Sequence, residues 1–69
     1  MHLNQLIEIL KHRRDMLGIT QEDLSELSGV GLRTIKALET SKSNPTLETL
    51  NKIFEVLGME LKVEVKKPK

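Results

Sequence analysis

The chain has 69 residues, no cysteine and a net charge of +1. That length allows one small domain with a core worth about 3–5 kcal/mol, and the lack of cysteine removes disulfides and thiolate metal sites. Two histidines, His2 and His12, do not make a zinc site without companion ligands, so the missing stability is expected from a second copy of the chain.

Leu3, Leu6, Ile7, Leu10 and Leu17 fall on one helical stripe, and Gly18 ends that first helix. In TQEDLSELSG, Thr20 stands as an N-cap. Asp23 follows three residues later, where a capping box usually has Glu or Gln. Leu24 and Leu27 form the inward side of this second helix, and Gly29 stops it. VGLRTIKALE reads as a third helical piece, with Val30, Ile35 and Leu38 inward. TSKSNP is a loop by composition. Thr46, after Pro45, caps a fourth helix with Leu47, Leu50, Phe54 and Leu57 on one face, and Gly58 terminates it. The period then changes. Met59, Leu61, Val63 and Val65 alternate with Glu60, Lys62, Glu64 and Lys66, the pattern of a half-buried β-strand. The expected organisation is a helical domain over 1–58, a strand over 59–67 and a frayed tail at 68–69.

Two charges sit where apolar residues belong. Arg14 falls within the first helix's apolar stripe, and Glu39 lies beside Ile35 and Leu38 on the third helix. A charge facing a core is costly unless paired. The economical arrangement is an Arg14–Glu39 ion pair tying the two helices together. The alternative is that Arg14 runs its stem along the surface to reach solvent.

Two short helices separated by SGVG have the composition of a helix-turn-helix. The stretch LGITQEDLSELSGVGLRTIKALETSKSNPTLETLNKIFEVLG resembles the Cro/C1-type (xenobiotic-response-element-type) helix-turn-helix family, over about residues 6–58. The resemblance implies a mainly α, four-helix lambda-repressor-like fold and sequence-specific binding of double-stranded DNA. The family's arginine–glutamate pair maps onto Arg14 and Glu39. Three features depart from the family. Gly31 stands where Ser or Thr often caps the recognition helix. Ser41 stands where Gly commonly ends it. A strand replaces the usual fifth helix.

In such a motif the second helix enters the major groove, N-terminal residues first. Here that helix is roughly Leu32 to Thr40. Its outward face carries Arg33, Lys36 and Ala37. Arg33 suits guanine O6 and N7, Lys36 a base or a phosphate, and Ala37 a thymine methyl. Leu32 lies near the core edge by angle, while the matching family position often faces bases. Gln21 at the start of the preceding helix suits a phosphate, with Thr20 a cap first and a contact second. Thr34 lies at the flank, and Lys42, Ser43 and Asn44 are placed to hold the other side of the backbone. By charge alone this region also reads as a solvated surface, with Arg33, Lys36 and Lys42 against Glu22, Asp23, Glu26 and Glu39.

A lone strand leaves backbone donors and acceptors unpaired. Pairing with its own copy across a two-fold resolves this. Met59, Leu61, Val63 and Val65 would then cover the helices near Val56. An antiparallel ribbon centred on Val63 sets Lys62 against Glu64 and Glu60 against Lys66, avoiding like-charge pairs. The strand ending also resembles the HipB-like antitoxins, which implies the alternative reading: an antitoxin that neutralises a protein toxin and autoregulates its operon. The primary expectation is a homodimeric transcriptional regulator, acting as a repressor on an inverted-repeat operator. No Ser/His/Asp or Cys/His set suggests an enzyme, and no cofactor or metal is expected. Lone Phe54 argues against stacking-type single-strand recognition. Without a signal peptide or a membrane-spanning run, a cytoplasmic location and no membrane partner are expected.

Overall fold

The computed structural model describes residues 2–62 and 65. Four helices follow in order: α1 (Leu3–Met16), α2 (Gln21–Ser28), α3 (Leu32–Glu39) and α4 (Leu47–Val56). Their boundaries follow from local chemistry. Thr20 and Asp23 form a reciprocal cap: the Asp23 N–H donates to Thr20 Oγ1 at 3.0 Å, and the Thr20 N–H donates to Asp23 Oδ2 at 2.9 Å. Thr46 Oγ1 accepts the Thr49 N–H at 3.1 Å to start α4. At the other end of α1, Gly18 adopts φ 69°, which lets the Gly18 and Ile19 N–H groups turn back to the Asp15 and Arg14 carbonyls.

α2 packs on both α3 and α4, and α1 packs on α3. Ile7, Leu10, Leu24, Val30, Ile35, Leu38, Leu50, Ile53, Phe54 and Leu57 form the core. Leu3 and Leu6 are partly buried against it, and three other residues expected inward are exposed. Leu17 is 45 %, Leu27 65 % and Leu47 61 % exposed. Each sits at a helix terminus: Leu17 caps α1, Leu27 is next to last in α2, and Leu47 opens α4. Ile53 takes a fully buried place on α4, and Ile19 packs at the core edge after the α1 turn.

Arg13 ties the two ends of the bundle. Its Nε donates to the Leu57 carbonyl at 2.9 Å, across 44 positions of sequence. A cation on the C-cap carbonyl of α4 is favoured by both the hydrogen bond and the helix dipole. Beyond it, Met59 and Leu61 are half-buried against the helical core, while Val65 is 94 % exposed. Residues 59–62 have no regular secondary structure, and the described residues include no strand. Val63, the expected centre of a two-fold ribbon, lies outside the described residues. No helix among the described residues is long and apolar enough to cross a membrane.

Candidate nucleic-acid interface

The helix-turn-helix rests on a buried polar cluster. Glu39, the last residue of α3, has a side chain only 3 % exposed. Arg14 grips it with two parallel bonds: Nε donates to Oε2 at 2.8 Å and Nη2 to Oε1 at 3.0 Å. Such a fork uses the planar geometry of both groups. The remaining Arg14 nitrogen, Nη1, donates to the Ile19 carbonyl at 2.9 Å. The hydrogen bond to Glu39 holds the Arg14 guanidinium above its ordinary pKa, reinforced by the nearby carboxylates of Glu39, Asp15 and Glu22 and opposed by partial burial. Arg14 therefore does not run out to solvent. Gln21 joins the cluster, its Nε2 donating to Glu39 Oε1 at 3.0 Å.

The turn between α2 and α3 consists of Gly29, Val30 and Gly31. Gly29 takes φ 76°, a left-handed conformation that side chains resist. Ser25 Oγ donates to the Val30 carbonyl at 2.6 Å, and Ser28 Oγ accepts the Val30 N–H at 3.1 Å. With its backbone satisfied, Val30 enters the core. The angle between α2 and α3 is thus fixed by a glycine, two serines and an apolar plug.

On this frame, Arg33, Thr34 and Lys36 are exposed on α3, and Leu32 and Ala37 are half-buried. Leu32 therefore keeps a surface that can reach a partner while its other side meets the protein. Gly31 caps α3 without a side-chain hydrogen bond. Thr20 is exposed but its Oγ1 accepts the Asp23 N–H, so its capping role comes first. Ser41 adopts φ 59°, the conformation glycine would take more easily. Even so, the end of α3 is well closed: the Ser41 N–H donates to the Leu38 carbonyl at 3.0 Å and the Lys42 N–H to the Ala37 carbonyl at 2.9 Å.

Lys42 and Asn44 are exposed beside this turn. Ser43 differs from expectation: its Oγ is buried and has no hydrogen-bond partner among the described residues. Its hydroxyl faces inward, away from any phosphate lying along the surface. The acidic groups nearby are less available than their number suggests. Glu39 is buried against Arg14, and Asp23 is held by the Thr20 backbone and hydroxyl, which lower its pKa.

The family profile described as helix-turn-helix matches residues 10–63, which covers all of α2, α3 and α4. The chain belongs to the Cro/C1-type helix-turn-helix family. It is 43 % identical over 58 residues to an uncharacterized HTH-type transcriptional regulator of Haemophilus influenzae, covering 84 % of this chain and 59 % of that protein. A second such regulator, from Methanothermobacter thermautotrophicus, is 44 % identical over 52 residues, 75 % of this chain and 74 % of its own length. A third, from Methanocaldococcus jannaschii, is 38 % identical over 52 residues, 75 % of this chain and 79 % of that one. Two bonds of this frame have no signal in the sequence: Arg13 to the Leu57 carbonyl and Gln21 to Glu39. Arg13 binds a backbone carbonyl and so leaves no pattern in the sequence. Gln21, expected to face a phosphate, makes a structural bond to Glu39.

Proposed function

We propose that this helix-turn-helix protein is a transcriptional regulator that reads double-stranded DNA by placing α3 in the major groove. The observation that carries the reading is the division of α3. Ile35, Leu38 and Glu39 are buried on one side, leaving Arg33 and Lys36 exposed on the other. In this reading Arg33 pairs with guanine, Lys36 contacts a base or phosphate, and Leu32 and Ala37 make apolar contacts at base edges. Gln21, Thr20, Thr34, Lys42 and Asn44 grip phosphates on either side. Ser43 contributes through its backbone N–H, its hydroxyl being turned inward.

The finer reading is a repressor that binds an inverted repeat as a homodimer in the cytoplasm. Met59 and Leu61 cover part of the core, yet Val65 remains exposed, as expected of a segment whose apolar side is completed by a second copy. Dimerisation through Val56, Met59, Leu61, Val63 and Val65 would set half-site centres about one helical turn, roughly 34 Å, apart. The antitoxin reading rests on the same segment. Copurification with the product of a neighbouring toxin-type gene tests it.

The main experiment is selection of bound duplexes from a random DNA pool, followed by footprinting. An enriched inverted repeat, protected on both half-sites at saturation, is the expected result. No enrichment would overturn sequence-specific reading, and protection of a single half-site would overturn the dimer.

A further inference from the structure

We propose that Glu39 is a positioning residue for DNA binding. Its buried carboxylate orients the Gln21 amide towards a backbone phosphate, locking the phosphate anchor on α2 to the base-reading face of α3. The inference rests on the DNA-binding reading above. It gives a role in binding to a group that otherwise serves only to join α1 to α3.

Neutralising Glu39 does not require Gln21. Arg14 already supplies a full charge and two hydrogen bonds at 2.8 and 3.0 Å. Yet Gln21 Nε2 also reaches Glu39 Oε1, at 3.0 Å. A carboxylate accepts and does not donate, so the amide nitrogen must face it. The amide is planar. With one N–H committed to Glu39, the other N–H and Oε1 have fixed directions. Gln21 is the first residue of α2 and only half-buried, so its amide stands at the protein surface. It also stands beside the first N–H groups of α2, which have no acceptor within the helix. A second N–H aimed outward there meets a phosphate without having to be ordered at the moment of binding.

The same cluster fixes the backbone that leads into α2, because Arg14 Nη1 holds the Ile19 carbonyl at 2.9 Å, one residue before the Thr20 cap. Glu39 is meanwhile the last residue of α3. One carboxylate thus sets the side chain that opens α2 and the end of the helix that reads bases. Their separation determines whether phosphate and base contacts form together.

Nuclear magnetic resonance of the 15N-labelled free protein tests the orientation directly. One Gln21 amide proton should be shifted downfield and slow to exchange, unlike those of exposed Gln5. Matching behaviour of Gln21 and Gln5 would overturn the proposal. This measurement uses the unaltered protein and so does not depend on any variant folding. Binding to a random-sequence duplex at low salt then tests the coupling through Gln21→Met, Glu39→Met and the double variant, at a temperature where circular dichroism shows each folded. Gln21→Met should weaken binding about tenfold, the scale of one hydrogen bond to a charged group. The salt slope should not change, because a neutral amide releases no counterion. Glu39→Met, which removes the acceptor of the Gln21 amide, should produce a similar loss, with little further loss in the double variant. Additive losses would make Glu39 purely structural and overturn the proposal. If the unaltered protein binds no duplex, the DNA-binding reading itself fails, whatever the amide resonances show, and the positioning role falls with it.

Discussion

The two ends of α3 are built on opposite plans. At its start, Gly31 provides no side-chain cap, and Arg33 and Thr34 lie open to solvent. At its end, Glu39 is buried under three donors, and the Ser41 and Lys42 N–H groups close back on the last carbonyls. An eight-residue helix is too short to be stable alone. Holding the backbone through the buried Val30 and the Glu39 cluster, while leaving the side chains of the first turn open, lets the fold fix the helix and still present that turn. That first turn is the part a recognition helix offers to the groove.

Breaking the anchored end should have the largest effect. Arg14→Ala leaves the Glu39 carboxylate buried with only the Gln21 amide, a loss on the order of 3–5 kcal/mol. Urea unfolding followed by circular dichroism should show a much lower midpoint. An unchanged midpoint would mean that the carboxylate finds solvent and that the anchor is not buried.

That anchor was legible in the sequence because each partner was a charge in an apolar position. Gln21 carried no such mark: a glutamine at the start of a helix fits the surface equally well, and its link to Glu39 appears only in three dimensions. The Arg13 clamp on the Leu57 carbonyl was invisible for a related reason, since its acceptor is backbone and 44 positions away. Apolar periodicity found most of the core but missed Ile53 inside α4 and counted three exposed leucines near helix ends. Leu17, Leu27 and Leu47 continue their stripes but are exposed to solvent. The residues 59–62 alternate as a strand does, but a ladder requires a second strand, and a single chain provides none among the described residues.

A smaller effect, of opposite sign, is expected where the anchored end carries strain. Ser41 at φ 59° costs about 1–2 kcal/mol relative to glycine in the folded state. Glycine returns part of that through its freer unfolded chain. Ser41→Gly should therefore stabilise by up to about 1 kcal/mol, read as a higher urea midpoint with an unchanged slope. Destabilisation would mean that the serine makes a compensating contact.

The open end should respond less. At Gly31 an added Cβ meets nothing closer than Thr34 Oγ1 at 3.9 Å, so a serine fits. Gly31→Ser should add a side-chain cap and gain a few tenths of a kcal/mol. Because it also places a hydroxyl at the open end of α3, its effect on DNA affinity, compared with its effect on stability, measures how closely that end approaches the duplex.

The smallest response expected is to acid. Thr20 lowers the pKa of Asp23 in the folded chain, so the cap contributes stability above the unfolded carboxyl value and loses it as pH falls through the folded one. Below about pH 4, Asp23→Asn and the parent should converge in stability, having differed at neutral pH. The difference is small because the carboxylate is fully exposed to solvent. Parallel acid limbs would show that the cap does not titrate.

The open end of α3 is most directly tested by Arg33→Ala, with binding measured both to a selected operator and to a random duplex at the same salt concentration. The expected result is a loss of about 1–3 kcal/mol on the operator, relaxed preference at one position of each half-site, and a much smaller loss on random DNA. Equal losses on both duplexes would remove Arg33 from the base-reading set and contradict the orientation assigned to α3.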